Sequence, residues 1–309
     1  MNDDFYTELT HGGLIPPTAI APLRVRGVHN FTTLEGVFFN AMRKDDNMID
    51  LKQGDCLELM KEIPDNSIDM VLCDLPYQVT NLKWDKKINS EKLFVQYRRI
   101  VKDKGNIVLF GTNPFASELI QAGKDLFKYD WVWKKSNGGF AYAKQRPLGR
   151  HELILVFGKS NSSYYPQMEL VEGKIRDRRK ENFFKTTDKN LSNSPVNKGT
   201  KMAYSSGYNP NYKNPIDVIF HSNHFEKSAK YHPTQKPVEL LEYLIKTYTR
   251  DNDIVLDNCM GSGSTGVACI NTKRDFIGME LDKEYFRIAE KRIQEAQSEI
   301  RLTNGVAGC

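Results

Sequence analysis

The chain has 309 residues, 39% hydrophobic and 27% charged, with 44 Lys and Arg against 39 Asp and Glu. That length is ample for one large or two modest domains with a real core, and 16 Phe, 14 Tyr and 3 Trp exclude a disordered chain. No apolar run approaches the ~18 residues of a spanning helix, which excludes integral membrane function.

The start, MNDDFYTEL, is acidic and has no apolar core, so no secretory signal is expected. Five cysteines (56, 73, 259, 269 and 309) contain no CxxC pair and form an odd number, as in an intracellular protein with reduced thiols. The net charge of +5 permits an anionic partner without demanding one.

Residues 1–47 contain Pro16-Pro17 and Gly12-Gly13, lack sustained periodicity and read as an arm or extension. From Met48 the pattern is α/β. Ile49-Asp50-Leu51 is a short strand entering the Gly54-Asp55 turn, and 56–63 is a helix with Leu57, Met60 and Ile63 on one face. Asp69–Cys73 is a buried strand ending at Asp74. A helix over 91–101 and a strand over 106–110 follow. Leu153–Phe157 is a continuous apolar run suited to a parallel sheet covered on both faces.

Residues 159–231 are rich in Asn, Ser, Tyr, Lys and Gly and read as an inserted, loop-rich module. Regular α/β pattern returns at 232. Pro237 suits the first turn of a helix carrying Val238, Leu241, Leu244, Ile245 and Tyr248 on one face. A strand over 253–257, a helix over 264–272, a strand over 276–280 and a helix over 282–297 complete the pattern, with 298–309 as a tail.

Two motifs carry the chemistry. Asp257-Asn258-Cys259-Met260-Gly261-Ser262-Gly263-Ser264-Thr265-Gly266 is a strand–turn–helix whose glycines fit G-x-G-x-x-G, and Glu280 ends the next strand, 23 residues after Asp257. Glycines let a nucleotide-like ligand approach the backbone, and an acid at that second strand end can bind ribose hydroxyls. A dinucleotide site places its first glycine at the strand end, so that the helix N-terminus faces pyrophosphate. Here Asp257 closes the strand. A carboxylate there repels pyrophosphate and suits the ammonium of a methionine moiety, so the loop favours S-adenosylmethionine.

The second motif is Asp74-Leu75-Pro76-Tyr77, at the carboxyl end of an apolar strand where open α/β sheets bind ligands. Pro76 holds Leu75 extended, which can aim the Asp74 carboxylate, the Leu75 carbonyl and the Tyr77 ring into one small space. Methylation of an exocyclic base amine needs such a set. Its nitrogen lone pair is delocalised, and acceptors on its two hydrogens favour a tetrahedral, nucleophilic nitrogen, while an aromatic ring stacks on a base taken out of the helix.

Together the motifs resemble the DNA amino-methyltransferases that make N6-methyladenine or N4-methylcytosine, whose catalytic motif has the form Asp/Asn/Ser-Pro-Pro-Tyr. The order here is catalytic motif, variable module, His232-Pro233-Thr234-Gln235-Lys236-Pro237, then glycine loop. That order resembles the family's β group, a circular permutation of its Rossmann-like α/β sheet. The resemblance covers roughly 48–297. It implies a catalytic half at 48–158, a target-recognition module at 159–231 and a cofactor-binding half at 232–297.

Residue by residue, the resemblance gives catalysis to Asp74, Leu75, Pro76 and Tyr77. It places Asp257, Gly261 and Gly263 at the methionine and ribose part of the cofactor, and Glu280 on the ribose hydroxyls. Asp55 falls near the adenine, with Thr234 and Lys236 at the methionine end. Cys259 stands where the family often has a Phe that touches the cofactor. Asp at the first motif position is commoner in the adenine enzymes, which favours N6-adenine over N4-cytosine. A C5-cytosine mechanism needs a Cys nucleophile, usually following Pro; Cys73 follows Leu72 in a buried strand and does not fit.

The module carries 13 Lys and Arg against 7 Asp and Glu, a net +6, which leaves −1 for the remainder. Its densest cluster, Arg176-Asp177-Arg178-Arg179-Lys180, has Tyr164, Tyr165, Phe183 and Phe184 near it in sequence, and such groups neutralise phosphates and read base edges. Arg176, Arg178, Arg179 and Lys180 are the DNA-binding candidates.

His221, His224 and His232 lack the partners of a zinc set, and no metal is expected. Trp131 and Trp133 suit the core, at least one of them, or the rim of the base pocket. Residues 81–85 suit a loop over the site. Double-stranded DNA is the expected partner, in the cytoplasm of a bacterium or from a phage. Homodimerisation and a cognate restriction endonuclease are compatible with the resemblance. Rival readings are a dinucleotide-dependent oxidoreductase, from the glycine loop, and a DNA-binding protein without activity, from Leu75 and Cys259.

Overall fold

The computed structural model describes residues 47–77, 87–138, 143–171, 209, 211–223, 231 and 235–306. In chain order they form β1 (Ile49–Gln53), α1 (Cys56–Leu59), β2 (Ile68–Cys73), α2 (Ser90–Ile100), β3 (Val101–Gly111), α3 (Phe115–Ala122), β4 (Phe127–Lys134) and β5 (His151–Gly158). The short β6 (Glu169–Leu170), β7 (Tyr212–Lys213) and β8 (Val218–Phe220) follow. Then come α4 (Val238–Tyr248), β9 (Ile254–Asp257), α5 (Ser264–Asn271), β10 (Asp275–Glu280) and α6 (Lys283–Val306).

Eight strands make one sheet in the order β1-β10-β9-β2-β3-β5-β4-β8. Alternating residues of each central strand enter two separate layers. Val71 and Cys73 of β2, Ile107 and Leu109 of β3, and Leu155 and Phe157 of β5 pack with α2 and α3. Met70, Leu72, Val108, Phe110, Ile154 and Val156 pack with α4, α5 and α6 on the other face. Burial on both faces explains why these strands read as unbroken apolar runs.

The apolar run at 153–157 was expected to suit a parallel strand, but β5 pairs antiparallel with both β3 and β4. An apolar run reports burial on both faces and carries no information about strand direction. The reversal brings the first residues of β5, His151 and Glu152, to the edge of the sheet where β2 and β3 end.

Three further differences are local. Pro237 is the capping residue before α4, with extended ψ of 130°, rather than part of its first turn. The last helix runs on to Val306, through the stretch expected to be a tail, with Ile300 still packed on the core. The loop-rich module supplies β8, which joins the main sheet beside β4 with Trp133 opposite Ile219, while β6 and β7 form a separate antiparallel ribbon. Trp131 and Trp133 are both buried, their indoles donating to Tyr248 Oη (2.7 Å) and the His221 carbonyl (3.0 Å).

Among the described residues no helix is long and apolar enough to cross a membrane.

Candidate active site

Four carboxylates stand in a row along the carboxyl edge of the sheet. Asp55 follows β1, Glu280 ends β10, Asp257 ends β9 and Asp74 follows β2, and these four strands are consecutive neighbours. Parallel pairing fixes the row: Gln53 lies opposite Glu280, and Gly278 opposite Asp257. Residues more than 200 positions apart thereby line one edge.

The cofactor candidates organise their own backbone. Asp55 caps α1, its Oδ1 accepting the Leu57 N–H at 2.8 Å, and the adjacent Gly54 N–H donates to the Glu280 carbonyl at 2.9 Å. Glu280 accepts the Gly261 N–H on Oε2 (2.9 Å) and the Asp282 N–H on Oε1 (2.8 Å). Asp257 accepts the Cys259 N–H at 3.1 Å and the Thr265 hydroxyl at 2.6 Å.

The loop between them turns at Gly261 (φ 53°) and Gly263 (φ 79°), both in the left-handed region that favours glycine. Burial pushes the Asp257 carboxyl up to about 6, against the pull of the Thr265 and Cys259 donors, and also raises Glu280. A glycine turn flanked by strand-end carboxylates fits a ligand carrying an ammonium group and a ribose diol.

Cys259, half-buried, is tied into the protein by its neighbours. Its thiol lies against Cys56 and Cys73, and Asn258 Nδ2 donates to its Sγ at 3.5 Å. Asn258 is itself held by the Tyr97 hydroxyl at 2.7 Å. Burial pushes the Cys73 thiol up to about 12. A buried thiol held in its protonated form is a poor nucleophile.

At the catalytic corner, Asp74 uses both oxygens. Oδ2 accepts Lys236 Nζ at 2.6 Å, and Oδ1 lies 2.8 Å from the Tyr77 hydroxyl. The same ammonium donates to Glu152 Oε1 at 3.1 Å, and the same phenol lies 2.9 Å from that oxygen. Lys135 Nζ closes the network at 2.6 Å from Glu152 Oε2. The Tyr77 ring packs against Phe115 at 4.9 Å, and the Lys236 ammonium sits over Phe110 at 4.9 Å.

Two carboxylates compete for one buried ammonium. Burial raises both, but Lys236 and Lys135 together overcome it at Glu152, whose carboxyl falls to about 2. Asp74 has Lys236 and the Tyr77 hydroxyl to lower it, but burial with the neighbouring Glu152 charge holds it above the usual carboxylate range. Burial opposes the Lys236 charge, and the two carboxylates more than offset it.

Of the residues named from sequence, Asp55, Asp74, Leu75, Pro76, Tyr77, Lys236, Asp257, Cys259, Gly261, Gly263 and Glu280 all belong to this edge and its loops. Lys236, expected at the methionine end, has Asp74 and Glu152 as its ion-pair partners. Thr234, the 81–85 loop, His224, His232 and Arg176, Arg178, Arg179 and Lys180 lie outside the described residues. Glu152 and Lys135 were not foreseen. The one signal in the sequence was an acid entering a wholly apolar strand, where a charge needs a partner. Among the described residues no cluster of His, Cys, Asp or Glu could hold a metal ion.

Type II methyltransferase M.BglII of Bacillus subtilis is 31% identical over 256 residues, 76% of this chain and 66% of that protein. The DNA adenine methyltransferase YhdJ of Escherichia coli is 27% identical over 257 residues, covering 79% and 82%. The crystal structure of the M1.HpyAVI–SAM complex aligns with a TM-score of 0.55 at 25% identity, over 80% of this chain and 99% of that one. The cytosine-N4-specific PvuII DNA methyltransferase shares the fold, with a TM-score of 0.53 at 16% identity. Residues 68–291 match the N6/N4 family model described as DNA methylase, so the chain belongs to the N6/N4 family of DNA methylases.

Proposed function

We propose that this chain is a sequence-specific DNA methyltransferase that transfers a methyl group from S-adenosylmethionine to N6 of adenine. The observation that carries the reading is the Asp74 carboxylate at the end of β2, next in the sheet to the Asp257 strand and its glycine loop. Asp at the first motif position supports adenine over cytosine. So does the 27% identity to YhdJ, whose name states adenine.

The cofactor, when bound, would supply an electrophilic methyl on a sulfonium, whose sulfur would keep the bond pair as the leaving group. Everything else falls to the protein. Glu280 and Asp55 would hold the ribose and adenine end, and Asp257 with the Gly261–Gly263 turn the methionine end. Asp74 would accept one N–H of the target amine and the Leu75 carbonyl the other, favouring the tetrahedral nitrogen that attacks. The positive charge developing on nitrogen would lie beside the Asp74 carboxylate until the nitrogen gives its proton to solvent. Burial keeps the Tyr77 phenol protonated, so its role is that of a hydrogen-bond donor and ring contact.

Incubation with plasmid DNA and methyl-labelled cofactor, followed by digestion to nucleosides, tests the proposal. Label in N6-methyladenosine is the expected result. Label in N4-methylcytidine would move the protein to the other branch of its family, and no label in either nucleoside would overturn the reading.

Two further outcomes are expected. Asp257 titrates near 6 and would bind a cationic methionine group only when ionised. Cofactor affinity at pH 5 should therefore be about tenfold weaker than at pH 7, by equilibrium dialysis. Neutralising Arg176, Arg178, Arg179 and Lys180 together should weaken DNA binding. It should also flatten the salt dependence, by about 0.9 in log–log slope for each phosphate no longer neutralised. An unchanged slope would remove the basic segment from the DNA interface.

A further inference from the structure

We propose that Glu152 is a positioning residue for methyl transfer: it takes over Lys236 and Tyr77 when the target amine claims Asp74. The inference rests on the proposed reaction and adds a part to it.

In the structure Asp74 has no idle oxygen. Oδ2 is held by Lys236 and Oδ1 by Tyr77. Each oxygen already carries one buried donor, so a target amine drawn to Asp74 competes with Lys236 or Tyr77 for that oxygen and weakens its bond. Lys236 cannot simply be released, because its side chain is only 10% exposed and a buried ammonium without a counter-charge is prohibitively costly. Glu152 is already 3.1 Å from that ammonium and 2.9 Å from the phenol, with its own side chain 4% exposed.

The phenol has one proton and two carboxylates within reach, so it can swing from one to the other without moving its ring. Lys135 anchors the far oxygen of Glu152, and the reversed direction of β5 is what delivers this acid to the catalytic edge. The shift is a transfer of hydrogen bonds within a net-neutral group of two carboxylates and two ammonium ions.

Among the described residues, the charged and titratable groups facing Asp74 are Lys236 from the segment before α4, Glu152 from β5, and Tyr77, with Asp257 from β9 and Cys73 from β2 behind it. Of these, Glu152 contributes the negative charge that raises Asp74. Its removal has a signature in pH that a purely structural role does not share. Glu152→Gln leaves Asp74 as the sole carboxylate for Lys236, so the amine must compete for it. The acid limb of the pH–rate profile should then move to lower pH.

The test is single-turnover methyl transfer to plasmid DNA with labelled cofactor across pH, for wild type, Glu152→Gln and Glu152→Asp. The expected result for Glu152→Gln is a rate lower by on the order of 10²-fold, an acid limb shifted downward, and unchanged cofactor affinity. Glu152→Asp keeps the charge and should recover part of the rate, with the acid limb near that of wild type. If Glu152→Gln does not fold, the same comparison is made with Glu152→Asp alone, where an acid limb displaced from wild type overturns the proposal. A wild-type rate in Glu152→Gln, or a slow variant with an unmoved acid limb, also overturns it. Absence of transfer by the wild type would instead overturn the proposed function, and this inference with it.

Discussion

Asp74→Ala should lower methyl transfer by at least about 10²–10³-fold, the usual cost of removing a group that stabilises charge developing in the transition state. The same variant should fold and bind cofactor almost as well as wild type. Asp74 is one of two carboxylates on Lys236, so the ammonium keeps Glu152 at 3.1 Å as its counter-charge. The buried charges then remain partly compensated, and the penalty of stranding a buried ion is avoided. Label incorporation and equilibrium dialysis, run on one preparation, separate the two effects. Retention of more than a tenth of the wild-type rate would show that Asp74 is not the acceptor for the target amine.

Gly263→Val should have the opposite profile, a structural failure that removes the cofactor site. A side chain at φ 79° is strained, most of all when β-branched. The new Cβ would also lie 2.9 Å from Ala289 Cβ and 3.0 Å from its Cα, on the helix α6 that covers the loop. That neighbour is partly backbone and cannot turn aside. Strain and overpacking together should cost about 2–4 kcal/mol, a fall in Tm of roughly 5–15 °C for a domain this size. Cofactor affinity should fall more than tenfold, since the Gly261–Gly263 turn would have to open. Thermal melts with and without S-adenosylmethionine read both, and a variant still stabilised by cofactor to the wild-type extent would contradict the loop assignment.

Much of this was legible in the sequence, for physical reasons that also mark where legibility ends. The Gly261-Ser262-Gly263 turn and the apolar strands before Asp74 and Asp257 are local features. They depend on backbone conformation and burial, which residue type dictates directly. Strand direction is not local. The run 153–157 has the same composition in either direction, and only its pairing with β3 and β4 fixes it as antiparallel. With the direction unknown, Glu152 had no reason to be placed near Asp74. Lys236 could be assigned to the right edge of the sheet but not to a partner, because the choice between a ligand group and Asp74 is made by distances of a few ångströms. Cys259 stands out in sequence only by the aromatic it replaces, and its contacts with Cys56 and Cys73, far apart in the chain, are visible only in the fold.

The strand order has a further consequence, for how the protein comes into being. Met48, at the entrance to β1, donates its backbone N–H to Asp275, 227 positions later, and β2 pairs with β9 across almost as long a gap. At ribosomal speeds of about 5–20 residues per second, the early strands wait roughly 10–45 s for their partners. During that interval β1 and β2 have open edges, and pairing at such sequence separation is intrinsically slow. A growing chain thus carries Asp74 long before it carries the Gly261–Gly263 loop. The sheet is complete only when β10 has come between β9 and the first strand, β1, at its edge.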